Sequence, residues 1–495
     1  MTRTRRDFLS FSCLGVVGAA AARLTACGEG GGSPDSPSLF APYTGTVRDP
    51  ETTEALARWI LETPTGDILD GVLSRISGGL SIQTLFSASF LAGLDAVPTH
   101  PIDGELHTVY ACHAAYELSL GAPIRFQLEP LLWAIQRMKA GIERVGAAEP
   151  MAEIVGALPD AALARSTLQD ALDAEDAEVA GRAALALWRA NDRGGLRDIL
   201  FPFMGRDLGH AFHKVIFARH AFSTLSALDG AHGARLVRKL VDAALAPTEG
   251  AAAWAEQRSR VIEAAPGWAS GAPDDAAVPD VLAALRDPDP IAITEAILAF
   301  LDAGVAPSTI WDAIRLGAAE KMIFGSFGFG RHWVTALNAY RRSYEGASSD
   351  EARLMALVMA ASAASVAPTA TEAPRLVELG SEEVVELTDI FGSIQKPQRD
   401  RADPTASRRT LGWFEAGGQS LPLFDYWRQS VFATTFLDYH NYKLLLAALE
   451  EASHMSPRWR PHFVAGTILH APGTSRLWDN HLTIRESLER LWCPS

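Results

Sequence analysis

Ala177-Glu178-Val179-Ala180-Gly181-Arg182-Ala183-Ala184-Leu185-Ala186-Leu187-Trp188-Arg189-Ala190 spaces its apolar residues three and four apart. That is the period of a helix face, not the two-residue alternation of a strand. The same spacing returns at 54–61, 69–76, 210–228, 292–303, 351–364 and 439–452. Between these stretches lie breakers: Pro98 and Pro101, Ser270-Gly271-Ala272-Pro273, Pro288 and Pro290, Pro397 and Pro404. Asp160 and Ser349 stand where helix N-caps are expected. The expectation is an all-α protein of about twenty helices.

Composition narrows the function classes. The chain has 495 residues, with 59 acidic against 44 basic side chains and a formal charge of −15. An acidic body offers no basic face for nucleic acid. With 21% charged residues and 48% hydrophobic residues it is neither disordered nor a coiled coil. After the first thirty residues no uncharged apolar run is long enough to span a bilayer.

The N-terminus reads as an address. Thr4-Arg5-Arg6-Asp7-Phe8-Leu9-Ser10 has the twin-arginine pattern, followed by an apolar run to Ala22. Leu24-Thr25-Ala26-Cys27 has the form of a lipobox, and a Gly/Ser/Pro-rich tether follows it. Residues 1–26 are read as a signal for the twin-arginine export machinery and 27–47 as a flexible tether. Cys27 is the expected lipidation site, and its two acyl chains would be the only membrane contact. The protein would then face the periplasm or exterior as a membrane-anchored lipoprotein. Plain cleavage to a soluble periplasmic protein is the alternative. Cys112 and Cys493 remain, and two cysteines make no disulfide framework.

An internal echo suggests two helical halves. Residues 79–121 align without gaps on 304–346, pairing Gly79 with Gly304, Thr84 with Thr309, His107 with His332 and Gly121 with Gly346. A fainter echo relates His210, His213 and Lys214 to His440 and Lys443. The expected division is 48–270 and 271–495, related by a pseudo-two-fold and packed as one unit.

The histidines are the candidates for chemistry. His210, His213 and His220 are read as lying on one face of one helix, and histidines three apart can approach one metal. His113 and Glu117 lie four apart on another helix. The chain has one Glu-x-x-His, at Glu451, where a ferritin-like site needs two. His-Glu-x-x-His, Gly-x-Ser-x-Gly and P-loop motifs are absent. Gly325-Ser326-Phe327-Gly328-Phe329-Gly330 lacks the preceding strand of a dinucleotide fingerprint and reads as a turning loop. Aromatic residues gather towards the C-terminus, among them Trp413, Tyr426, Trp427, Tyr439 and Trp459, and a subset suits the wall of an apolar cavity.

Four short pieces resemble the helical questin-oxidase-like family: Cys112-His113-Ala114-Ala115-Tyr116-Glu117-Leu118-Ser119-Leu120-Gly121-Ala122, His210-Ala211-Phe212-His213, His332-Trp333-Val334-Thr335 and His440-Asn441-Tyr442-Lys443. Cys112 stands where that family often has a second histidine. The resemblance implies oxidation of an aromatic, polyketide-like molecule by oxygen, of Baeyer–Villiger type, with NADPH as the electron source. The combined expectation is an exported oxidoreductase acting on an apolar or aromatic small molecule. Its catalytic and metal-binding set would be His113, His213, His332 and His440, with His210 as a further metal ligand and His210 or His107 alongside. Iron or another transition metal is the expected cofactor. A non-catalytic envelope binding lipoprotein and a helical scaffold are the alternatives.

Overall fold

The computed structural model describes residues 50–472, apart from 101, 103, 121–123, 150–153, 226–227, 229, 250–252, 265–266, 325–329, 366–374, 395–403 and 435–438. The export signal, Cys27, the tether, Cys493 and most of the 325–330 loop lie outside the described residues.

The described chain is all-α, with 21 α-helices and no strand. The first ten are α1 (Pro50–Glu62), α2 (Ile68–Ser77), α3 (Ile82–Ala96), α4 (Leu106–Ser119), α5 (Ile124–Val145), α6 (Ala161–Asp173), α7 (Ala177–Arg189), α8 (Arg193–Gly205), α9 (His213–Leu225) and α10 (Gly230–Ala244). Next come α11 (Trp254–Glu263), α12 (Val278–Ala284), α13 (Pro290–Asp302), α14 (Pro307–Phe324), α15 (Gly330–Gly346) and α16 (Asp350–Ser365). The last are α17 (Leu387–Ser393), α18 (Thr405–Glu415), α19 (Ser420–Thr434), α20 (His440–Ser453) and α21 (Arg460–Thr467). A parallel bridge between Ala272 and Val305 is the one β-type pairing among the described residues.

Caps set several of the boundaries. Asp176 accepts from the backbone N–H of Glu178 and Val179 at the start of α7. Ser81 does the same for Thr84 in α3, and Asp289 for Ile291 in α13, where Pro290 opens the helix. Each satisfies a donor that the first turn leaves without an intrahelical partner. Ser349 accepts from Ala352 as expected. Asp160 holds the expected place ahead of α6, yet its side chain makes no capping hydrogen bond.

Four helices form the centre. Every residue of α4 except Glu117 is buried, and every residue of α9 except Ser223. The stretches 332–341 of α15 and 442–452 of α20 are buried as well. Helices covered on all sides need no polar stripe, and α4 and α9 carry little amphipathic pattern. Around the centre α4 packs on α9, α9 on α15, α15 on α20 and α20 on α4, which closes a ring.

The echo of 79–121 in 304–346 has local counterparts. Gly79 and Gly304 both adopt left-handed φ, 99° and 83°. Each follows a helix, and the next residue, Leu80 or Val305, donates to the carbonyl five residues back. This is the Schellman stop, where glycine avoids the cost of a Cβ. Thr84 and Thr309 are each the third residue of the next helix.

One element differs from expectation. The helix read across 210–228 begins only at His213, because Ala211 and Phe212 adopt left-handed φ of 48° and 62°. His210 therefore lies in the preceding turn and does not share a helix with His213 and His220.

Candidate metal centre

His440 and His213 are the first residues of α20 and α9, His107 the second of α4 and His332 the third of α15. The helix ring thus brings four N-terminal turns together, one histidine on each. One ring nitrogen from each of the four lies within 4.8 Å of the other three. Ring centroids are 4.4 Å apart for His107 and His213, 4.7 Å for His213 and His332, 4.8 Å for His332 and His440, and 5.1 Å for His107 and His440. His107 and His332 face each other across the ring at 6.5 Å. His107, His213 and His332 are buried and His440 is half-buried.

The tautomers of two members are set from outside the cluster. His107 Nδ1 lies 2.7 Å from the Gly104 carbonyl and His213 Nδ1 lies 2.5 Å from the His210 carbonyl. A carbonyl oxygen only accepts, so both Nδ1 atoms carry hydrogen and donate. In the neutral rings both Nε2 atoms then present lone pairs, and these lie 2.8 Å apart. His332 and His440 meet through their Nε2 atoms at 3.1 Å. The left-handed turn at Ala211 and Phe212 is what turns the His210 carbonyl towards His213. Such a conformation costs about 1–2 kcal/mol per non-glycine residue and persists where surrounding contacts fix it.

Burial and nearby charges hold three of the rings, those of His107, His213 and His332, neutral. Burial, reinforced by the Lys443 ammonium and neighbouring imidazoles, holds His107 well below the usual histidine range. Burial, then His440, His213 and Lys443, does the same to His332. His213 is pushed down to about 3, again chiefly by burial. The positive ends of four helices add to the penalty on an imidazolium. Neutral imidazole is the form that ligates a metal. In a tetrahedral ion with metal–nitrogen bonds of about 2.0–2.1 Å, nitrogens lie about 3.3 Å apart. The observed spacings of 2.8 and 3.1 Å, within a 4.8 Å limit, bracket that value.

His113 is not a member of the cluster. It lies six residues after His107 on α4, about 240° around a helix of 3.6 residues per turn, and faces another flank. There its Nδ1 lies 3.0 Å from His220 Nδ1, and Arg219 Nη1 reaches both rings at 3.2 and 3.1 Å. Its Nε2 is 3.6 Å from Glu117, whose carboxyl is pushed up to about 7 by burial against the pull of Arg219. His107 takes the place expected for His113. The ring of His210 lies outside the cluster too. Its Nδ1 sits 3.1 Å from both oxygens of buried Asp207, and its contribution to the centre is its backbone carbonyl.

Tyr110 stands between the two histidine groups. Its ring is 5.1 Å from His107 and stacks on His220 at 5.7 Å and 16°. Lys443 Nζ lies 4.4 Å above it. Tyr439 adds an aromatic wall 4.9 Å from His107. Cys112 is buried, and burial pushes its thiol up to about 12, so it is no thiolate ligand at neutral pH.

A buried ion network, not anticipated from sequence, runs on from Arg219. Arg219 donates to Asn338 Oδ1 and to Glu450, both at 2.9 Å. Asn338 donates to Glu450 at 2.7 Å and Glu451 at 2.9 Å, and Glu451 also accepts from Arg315 at 2.9 Å and Arg341 at 2.6 Å. Burial raises the Glu451 carboxyl, but Arg341 and Arg315 outweigh it and bring it to about 2. The available signal was Glu450-Glu451 inside the apolar run of 439–452.

Comparison of the chain with protein-family models, with curated proteins and with solved structures finds no match.

Proposed function

We propose that His107, His213, His332 and His440 bind one transition-metal ion, and that the protein is an exported oxidoreductase acting there on an apolar or aromatic small molecule. The observation that carries the metal is the pair of Nε2 lone pairs 2.8 Å apart on His107 and His213. Two acceptors at that distance repel unless a cation lies between them. A proton is the costlier choice, because burial disfavours the imidazolium. A metal accepts all the lone pairs at once, and the carbonyls of Gly104 and His210 are the outer partners that ligating imidazoles require.

The donor set argues for the kind of metal. Four imidazoles, with no thiolate or carboxylate among the clustered groups, suit iron, copper, nickel or zinc. Zinc with four ligands is closed and structural. Iron or copper takes further ligands, which leaves room for chemistry. Half-buried Tyr439 supplies aromatic surface beside the ring for an apolar substrate. The four short motifs that resemble the questin-oxidase-like family support the oxidoreductase reading, with NADPH as the electron source in that case. The twin-arginine pattern and the Leu24–Cys27 run support export and a lipid anchor.

The test is metal analysis of protein purified after export through its own signal. One iron or copper per chain is expected. His213→Ala and His332→Ala should each lower metal affinity by at least about tenfold while helical circular dichroism persists. Zinc alone would favour a non-catalytic envelope metalloprotein, and absence of stoichiometric metal would remove the centre. For the anchor, Cys27→Ser should move the protein from the membrane to the soluble fraction or stall its processing. A mature chain without lipid mass on Cys27 would refute that part.

A further inference from the structure

A pocket opens beside α8, α9 and α15 and shares no residue with the four-histidine centre. Its volume is about 210 Å³. Arg197, Arg219, Arg342, Phe201 and Phe222 line it, together with the end of α15 at Gly346. Phe201 and Phe222 are stacked, with centroids 5.1 Å apart and planes at 21°. The pocket is thus part aromatic wall and part guanidinium.

The charges in this pocket do not balance. Arg219 and Arg342 share Glu450, at 2.9 and 2.8 Å, and Arg342 also reaches Glu345 at 3.2 Å. Glu345, which also lines the pocket, accepts from Arg341 as well. Arg197 pairs with no carboxylate among the described residues. The charged groups that act on it are Arg193 and Arg342, both cationic. Its Nε is buried without a hydrogen-bond partner. Its guanidinium carbon lies 5.4 Å from the centre of the Phe222 ring. A Cβ at Gly346 would fall 2.1 Å from its Nη1, so the bare glycine leaves the guanidinium its space.

A partly buried cation without a counter-charge is costly, and an anion relieves it. Arg197 is one charge in excess, which fits a monoanion. A guanidinium receives a carboxylate through two parallel N–H···O bonds. The stacked phenyl rings beside it offer a face for a planar apolar body. The volume is below that of drug-sized sites, which limits the ligand to about one ring. We propose that this pocket binds a small aromatic carboxylate, with its carboxylate on Arg197 and its ring against Phe201 and Phe222. The proposal is independent of the metal reading.

Benzoate is the probe, titrated calorimetrically into the full mature protein, metal-loaded and metal-stripped. Saturable binding that is the same in both forms is expected. The neutral isostere benzamide should bind at least tenfold more weakly. Arg197→Gln should weaken benzoate at least tenfold, and Arg197→Lys, which keeps the charge but loses the fork, should fall between. Circular dichroism checks the fold of each variant, and Arg197→Lys retains the comparison if Arg197→Gln does not fold. The proposal is overturned if benzoate does not bind, if both Arg197 variants bind it like wild type, or if inorganic phosphate displaces it equally well. It is also overturned if His213→Ala abolishes binding while Arg197→Gln spares it, since the ligand would then sit at the histidine centre.

Discussion

His107 and His213 each spend one ring nitrogen on a carbonyl three residues upstream, and that local bond decides what the other nitrogen offers the interior. His113 and His220 show the contrasting use of the same residue. They face each other and Arg219 and are held well below the usual range by burial first and Arg219 second. Their folded values lie below the unfolded value of about 6.5, so below that pH the unfolded chain binds more protons. This contribution to stability is full above about pH 6.5 and is lost as the pH falls. Urea unfolding of metal-stripped protein should show it. His220→Phe, which keeps a ring against Tyr110, should flatten the loss by up to about 1.4 kcal/mol per pH unit. Parallel pH profiles for wild type and variant would contradict this account. The choice between His107 and His113 was not legible in the sequence. Both lie on α4, and a helix buried all round has no polar face to say which residue looks inward.

Helices were legible because the 3.6-residue period survives in most elements, as α7 illustrates with Ala180, Ala183, Ala184 and Leu187 on its buried side. Their ends were less so. Asp160 and Asp176 both precede alanine-initiated helices, yet only Asp176 bonds the first turn. Asp176→Ala should therefore cost about 1 kcal/mol and Asp160→Ala close to nothing. Denaturant midpoints measured at equal m-value would check this, and equal costs would reject the distinction. The turn before α9 carried no signal at all. Ala211 and Phe212 adopt left-handed φ with neither glycine nor asparagine to announce it. The apolar period of the sequence runs straight through that turn, and it places His210 on the helix with His213.

At the scale of the molecule, Glu451 joins α20 to α14 and α15, accepting from Arg315 on α14 and from Asn338 and Arg341 on α15. Removing one member of a buried ion cluster leaves the others uncompensated. Glu451→Ala should cost about 3–5 kcal/mol, and Glu451→Gln less because it keeps shape and some hydrogen bonds. Chemical denaturation decides the order, and a smaller loss for alanine than for glutamine would overturn it. This network escaped the sequence because a Glu-Glu pair near a helix end usually meets water, and only the packing of α14, α15 and α20 encloses it. The four-helix ring also has a consequence in time. His213 follows His107 by 106 residues, and His440 follows His332 by 108. A chain emerging from the ribosome holds three of the four imidazoles well before it holds the last. On the proposed reading, ion capture by all four rings waits for His440, so a full ligand set reports that α4, α9, α15 and α20 have all been made.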